Sequence, residues 1–492
     1  MRSKRWNALI VGMFVLSFGS LIPILYCALF DYATGDDLGK SANVHRVIIN
    51  GGSIIDVVFQ AIKDSIEVWY THEGTWASNF ILALQPGIWG ENFYALTPFI
   101  GLAFLLVGIG CFIYEITVNV LGYSKIFFCF LFSLSTVLMT QYMPFIRGGL
   151  FWYTGMAHYT IPFGVSLFLL TINLVFYRTN NKKLIPVMVL FSIYIGGSHY
   201  QAMLLVLLYQ VLLAYIYYTK NNKNMPVVLI QIVIELIGLT LCAIAPGNSQ
   251  RAGDNFSFSI SKAIFTVMQS IKEGSYDGIR YFLSIKLFTV FFFIVVAFAI
   301  YIGSTKAFLK KHPIIVIYSF LVYCATYSPG VYYSTYDAQE GISGGFYDFS
   351  YFTFVIFITF FAVFIGESIA ARFDKTNTSK LVILLGVISL IIFGLEGKNI
   401  IKDSADYMIY RFIREGHLRD YDQQMKERLE ILLDETVTEV VLPEMNSEQG
   451  PFMHMAITDD VNNFTNYVTK DYYNKNTVIA IPREKYYELY GK

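Results

Sequence analysis

DYATGDDLGKSANVHRVIINGGSIIDVVFQAIKDSIEVWYTHEGTWASNFILALQPGIWGEN, residues 31 to 92, is the first long polar interruption in an otherwise apolar chain. One apolar segment precedes it and many follow. Asp31, Asp36 and Asp37 stand within a few residues of the end of the first apolar segment. Carboxylates at that depth are costly if they face lipid. They are expected at a membrane–water boundary, pointing into a wet pocket. The rest of the chain then reads as a lipid-embedded frame that holds this loop.

Composition supports the frame. The chain has 492 residues, 55% hydrophobic and only 15% charged, whereas a soluble protein carries about 25% charged residues. Apolar runs recur at 7–30, 93–118, 126–143, 160–177, 185–196, 202–218, 226–245, 287–303, 313–327, 351–370 and 381–395. The fold class predicted is an all-α polytopic membrane protein with about 11 transmembrane helices. The basic start MRSKRW and the long run after it lack a small-residue cleavage site, so a first spanning helix is expected rather than a signal peptide. A net charge of zero argues against nucleic acid as partner. The five cysteines all lie in apolar runs, so no external disulfide staples the loops.

Orientation follows from the short loops. One set contains Lys125, then Arg178, Lys182 and Lys183, then Lys220 and Lys223, then Lys306, Lys310 and Lys311, then Arg372, Lys375 and Lys380. The short loops of the other set contain only Arg147. Basic loops stay in the cytoplasm. The expectation is a multi-pass cell-membrane protein with a cytoplasmic N-terminus. Loops 31–92, 246–285 and 328–350 then face outward. So does a tail, 398–492, in which a charged amphipathic helix pattern precedes two β-like runs, VTEVVLP and NTVIAIP. Residues 1–397 form the transmembrane domain, and the tail forms a small α/β extracytoplasmic region, read either as a passive cap or as an assembly surface.

Several polar residues could do chemistry in the outer layer. Asp36 and Asp37 are adjacent, so in an extended or turn segment they point opposite ways. One could act as a general base while the other orients it or binds a divalent cation. GDDLG also reads as a solvated turn. EVWYTHEGTWASNF sets His72 and Glu73 among Trp69, Tyr70, Trp76 and Phe80, an interfacial aromatic belt or a stacking wall for a sugar. MPFIRGGLFWYTGMAHYTIP carries Arg147, Trp152, His158 and Tyr159; its cation could snorkel to lipid phosphate or bind a substrate phosphate. His199 and Gln201 follow in GGSHYQ. IAPGNSQRAG places Asn248 and Arg251 at the end of a span, and Arg251 is the best single candidate for a lipid-linked phosphate. Residues 256–274 read as a helix in the head-group layer. Asp337, Glu340 and Asp348 lie in a Gly-rich last loop that could serve as a lid. Glu235, with Gln210 and Gln231 nearby, falls inside spans and is read as either structural or functional.

One span, an acidic first outer loop, many further spans and an outer tail together resemble the GT-C superfamily of membrane glycosyltransferases. WYTHEGTWASNF, FWYTGMAHYTIP and IAPGNSQRAG look like three signatures of a poorly characterised bacterial branch, and PGNSQR is the most specific. Thr75 stands where that branch has Arg after Gly74, and His199 where an acidic residue is expected. The resemblance implies a polyprenyl-phosphate-linked sugar as donor and a cell-surface glycan or lipid-linked acceptor. It also implies an inverting transfer in a cell membrane. Asp37 with Asp36 would supply the base. Arg251, Arg147 and His158 would bind the phosphate, with Asn248, His199, Trp76, Trp152, Tyr159 and Glu73 around the substrate and lipids around the whole. No cofactor is certain, and a divalent cation stays open. Two other classes remain: a non-catalytic transporter or flippase of lipid-linked glycans, coupled through Glu235, and a structural subunit of a surface-polymer assembly complex built around the tail.

Overall fold

A computed structural model describes residues 2–252, 259–304, 306, 308–334 and 344–491. Most of the chain is helical, and among the described residues eight helices are long and apolar enough to cross a membrane, or nine if one bent pair is a single span. The chain is therefore a multi-pass, mainly α-helical membrane protein. We number the helices used below in chain order. The first span combines α1 (Arg2–Gly19) and α2 (Ile22–Ala28). The polar layer contributes α3 (Asp36–Ile49), α4 (Ile54–Thr71) and α5 (Trp76–Leu82). The bundle continues with α6 (Thr97–Tyr114), α7 (Lys125–Gln141), α8 (Ile161–Thr179), α9 (Ile185–Gly196), α10 (Tyr200–Thr219) and α11 (Met225–Ala243). Next come α12 (Pro246–Ala252), α13 (Ile260–Ser284), α14 (Lys286–Ile302), α15 (Pro313–Ala325), α16 (Gly344–Ala370) and α17 (Lys375–Lys402).

Helices stand at all eleven apolar runs, but they differ in length. Those at α7 and α9 have 17 and 12 residues. Twelve residues rise only about 18 Å, short of the roughly 30 Å hydrocarbon layer. Proline explains where several helices begin: α6, α8, α9, α11 and α15 each carry it in the first turn, where its missing N–H costs nothing.

The polar interruption is not an extended loop. Asp36 and Asp37 open a helix instead, and α3 and α4 form a hairpin closed at Gly51-Gly52. Ser53 and Asp56 then make a reciprocal cap that starts α4. One side of α4 is exposed and apolar, at Ile54, Ile55, Phe59, Ile62, Ile66 and Tyr70. The helix anticipated after the second interruption is present as α13. It exposes Ile260, Ile264, Met268, Ile271 and Leu283 and turns through 90° into α14. Such faces suit helices lying along a bilayer surface. Asp337 and Glu340 of the anticipated lid lie outside the described residues. Asp348 is buried at the start of α16 and accepts the Phe145 N–H at 2.7 Å.

Beyond α17 come α18 (Ala405–Arg414) and α19 (His417–Leu433). The two β-like runs form β1 (Glu439–Pro443) and β2 (Thr477–Ile481), joined in parallel with Glu439 opposite Thr477. Parallel strands need a crossover, and α20 (Phe464–Tyr472) provides it. This region grips the polar layer. Val468 packs on Gly39, and the His45 and Tyr472 rings stack at 4.2 Å. The Met455 N–H donates to Thr34 Oγ1 at 3.0 Å, and the Tyr32 hydroxyl donates to Asp422 at 2.7 Å.

Candidate functional site

Two turns interlock to build the site. The turn after α4, His72 to Thr75, meets the PGN turn after α11. Gly247 lies against the backbone N–H groups of His72 and Glu73, and Gly74 lies against the carbonyl of Cys242; a side chain at either glycine would collide with main chain. Asn248 fastens the join: its Oδ1 accepts the Gly74 N–H at 3.1 Å, and its Nδ2 donates to the Cys242 carbonyl at 2.7 Å. The Trp69 indole adds a bond to the Leu241 carbonyl at 2.9 Å.

Glu73 stands at the centre of this join. Its Oε2 accepts from Arg251 at 3.2 Å, while its Oε1 accepts from Asn79 at 3.1 Å and lies 3.5 Å from His158 Nε2. Burial pushes its carboxyl up, but His158, Lys40, Arg251 and His72 together outweigh it and hold the pKa down to about 2. Glu73 is thus a fixed anion that positions Arg251, whose side chain is 43% exposed. Arg251 keeps guanidinium N–H groups beyond the one given to Glu73, and a guanidinium suits phosphate.

The aspartates divide. Asp37 is fully buried: Thr154 donates to its Oδ1 through the backbone N–H at 2.9 Å and the hydroxyl at 2.6 Å, and the Tyr94 hydroxyl donates to its Oδ2. Burial raises its pKa to about 7 against the pull of these donors. It is therefore no solvated turn residue. Asp36 is half-buried and points elsewhere, since adjacent helix residues do not share a face. Its electrostatic neighbours are Lys40, Glu73 and Arg251. Burial raises its pKa, Lys40 and Arg251 lower it and Glu73 raises it, with a net rise. Asp31 is buried close to Asp37, and burial and that charge push it well up.

Other anticipated residues fall around this centre. Trp76 packs on Gly197, the Ala77 N–H donates to the Gly197 carbonyl at 2.8 Å, and the His199 ring lies 4.6 Å from Tyr159 and 6.4 Å from His158. His199 caps α10; burial, helped by His158, pulls its pKa down to about 3 and keeps it neutral. Thr75 is buried and accepts from Asn79. Trp152 precedes the Tyr153-Thr154 pair that holds Tyr94 and Asp37. The buried Trp76 Nε1, Trp152 Nε1 and His158 Nδ1 have no partner among the described residues. Arg147 is engaged elsewhere, donating to the Gly450 carbonyl of the tail at 2.8 Å. Among the described residues, no three His, Cys, Asp or Glu side chains are placed to hold a metal ion.

Sequence reasoning overlooked Lys40, Asn79, Tyr94 and Thr154. Lys40 had a signal, standing four residues after Asp36, the spacing of one helix face. Tyr94 and Thr154 had none, for they meet Asp37 across 57 and 117 residues. The pieces converge at one end of the bundle: His158 lies in the first turns of its span, His199 just before the next, and Arg251 beyond the end of the one after. No protein-family model and no curated protein sequence matches this chain.

Proposed function

We propose that this protein is a GT-C-type membrane glycosyltransferase with eleven spans. In this reading its N-terminus is cytoplasmic, and the polar layer and the α/β tail are outside. It transfers a sugar from a polyprenyl-phosphate donor to a cell-surface glycan or lipid-linked acceptor. The observation that carries the reading is one juxtaposition. A half-buried carboxylate, Asp36, lies within electrostatic reach of a guanidinium, Arg251, that Glu73 fixes at the end of a span, beside α4 with its exposed apolar side. A donor with a lipid tail and a water-soluble sugar needs such a boundary.

In the transfer, Asp36 takes the proton of the acceptor hydroxyl. The acceptor oxygen bonds to the anomeric carbon from the face opposite the phosphate, inverting it. The bond from that carbon to the phosphate oxygen breaks, and its electron pair leaves with the polyprenyl phosphate. Arg251 and Lys40 meet the charge that grows on that oxygen. Asp37 fixes the start of α3 and so aims Asp36, a positioning role. The indole N–H groups of Trp76 and Trp152 are offered to the sugar.

Full-length protein in nanodiscs, given a radiolabelled polyprenyl-phosphate hexose and the surface-glycan fraction of the cells that make it, tests the assignment. Asp36→Asn is expected to lower kcat at least a hundredfold with an unchanged melting temperature, and Arg251→Ala to raise the donor KM. Full transfer by both Asp36→Asn and Asp37→Asn overturns the reading.

A further inference from the structure

The seam between α3 and α4 widens, away from the charged centre, into a groove of about 420 Å³ lined by Asn43, Arg46, Asn50, Asp56 and Gln60 among others. None of these side chains takes part in the transfer chemistry above. Asp36, Lys40, Asn43, Val47 and Asn50 recur at intervals of three and four residues, so they form one stripe along α3. Asn43 is about 10 Å along the helix from Asp36. The groove thus opens on the same stripe as Asp36.

The groove wall is held in place from beneath. Asp64 is only 8% exposed, and its Oδ1 accepts from Asn43 Nδ2 at 2.9 Å and from Gln60 Nε2 at 2.8 Å. With their N–H groups turned to Asp64, both amides have fixed orientations. Arg46 donates to Asn43 Oδ1 at 2.8 Å and pairs with Asp471 of the tail, so its charge is already met. Asp56 is spent on the cap of α4. What faces a ligand is the Gln60 carbonyl oxygen, the exposed Asn50 amide and two charged groups already hydrogen-bonded within the protein, Arg46 and Asp56, with one apolar patch at Val47. A phosphate would want unpaired cations, a metal would want converging carboxylates, and a lipid chain would want an apolar wall. A neutral ligand rich in hydroxyls matches all the lining groups.

We infer that the α3–α4 groove is a saccharide-binding subsite that holds the acceptor glycan, leading its reactive hydroxyl along α3 to Asp36. This rests on the transfer reading for the word acceptor, though not for the binding. The probe is the set of oligosaccharides released by mild acid from the surface polysaccharide of the cells that make the protein. Saturation-transfer NMR on full-length protein in nanodiscs measures their binding. Gln60→Ala and Asn50→Ala are each expected to weaken apparent affinity at least tenfold with unchanged melting temperatures. Asn50 is exposed beside the hairpin turn, so its variant keeps the fold even if Gln60→Ala loosens α4. Arg251→Ala is expected to bind the oligosaccharides as the wild type does. Absence of saturable binding to the wild type, or equal binding by both groove variants, overturns the inference. Groove-dependent binding without any transfer from a polyprenyl-phosphate sugar removes the transferase reading and leaves the subsite standing.

Discussion

Glu73, half-buried, and Glu235, fully buried, are both held by a side-chain amide, yet their surroundings are opposite. Glu73 meets Arg251, His158 and Asn79 where two turns interlock beyond the ends of the spans. Glu235 is 1% exposed inside α11 and accepts from Gln210 at 2.7 Å. Around it the side chains are neutral: Asn173 and Gln231 exchange two hydrogen bonds, at 3.1 and 3.0 Å, and Ser192 donates to Gln231. The first site gathers cations around an anion, and the second ties α8, α9, α10 and α11 together with uncharged amides. A bilayer allows fixed charge where water and cations can reach it and penalises it elsewhere. The first site therefore suits chemistry that develops charge, and the second suits helix association.

The largest expected effect tests whether the carboxylates of the polar layer are defined by their donors. Asp37→Ala leaves Thr154 N–H, the Thr154 hydroxyl and the Tyr94 hydroxyl facing a void. Each buried orphan costs about 1–3 kcal/mol, so several kcal/mol should vanish, read as a large fall in melting temperature in nanodiscs. Asp37→Asn keeps an acceptor for Thr154 and can donate to the Tyr94 oxygen, so its fall should be much smaller. Equal melting of Asp37→Ala and wild type would mean that these three bonds do not hold the start of α3.

Glu73→Ala comes next. It strands Arg251 and His158 and empties the interlock of its anion. A hydrogen bond to a charged group is worth roughly 1.5–3 kcal/mol, and the exposure of Arg251 places this change at the lower end. Transfer should fall further than stability, with the donor KM rising, because Arg251 loses its aim. A variant with unchanged KM would show that Arg251 does not depend on Glu73.

Acid sharpens the contrast within the polar-layer site. Asp37 holds its proton up to about pH 7 in the folded protein, whereas the unfolded chain releases it near 4. The folded state then binds more protons across that window, so this group's contribution falls as pH rises from about 4 to about 7. Glu73 runs the other way: its contribution is present above its ordinary value of 4.5 and is lost as pH falls towards about 2. Between pH 5 and 7 only Asp37 of the two is titrating. Asp37→Asn should flatten the melting-temperature profile in that range, and an unchanged slope would reject the assignment.

Much of this was legible in advance, for definable reasons. Apolar runs, prolines at helix starts and the placement of Lys and Arg depend on local sequence, so the spans and the helix in the second interruption could be read. The PGNSQR and HEG stretches drew attention as separate motifs. Their joint purpose was not legible, because it lies in Gly74 and Gly247 admitting each other's backbones, which no spacing records. The first interruption was misjudged as a loop. Its Gly and Asp residues are turn formers at one end and helix starters at the other, and only packing against α20 and α5 settles which. Arg147 looked like a free cation because the tail that occupies it, at Gly450, is three hundred residues away.

Glu235→Gln should have the smallest effect. The replacement adds an N–H to a network already made of amides, and Gln210 can turn its own amide to match. Hydrogen bonds between membrane helices average about 0.6 kcal/mol, so a change in melting temperature near the error of the measurement is expected, with transfer at the wild-type rate. The alternative outcome is informative because of where Glu235 sits. It has no cation partner among the described residues and no place in the interlock, so loss of activity on neutralising it could not come from damage to Arg251 or Asp36. If Glu235→Gln abolished activity while Asp36→Asn retained it, the functional carboxylate would lie within the spans. The Glu73–Arg251 cluster would then bind lipid-linked glycan for movement across the bilayer rather than for transfer.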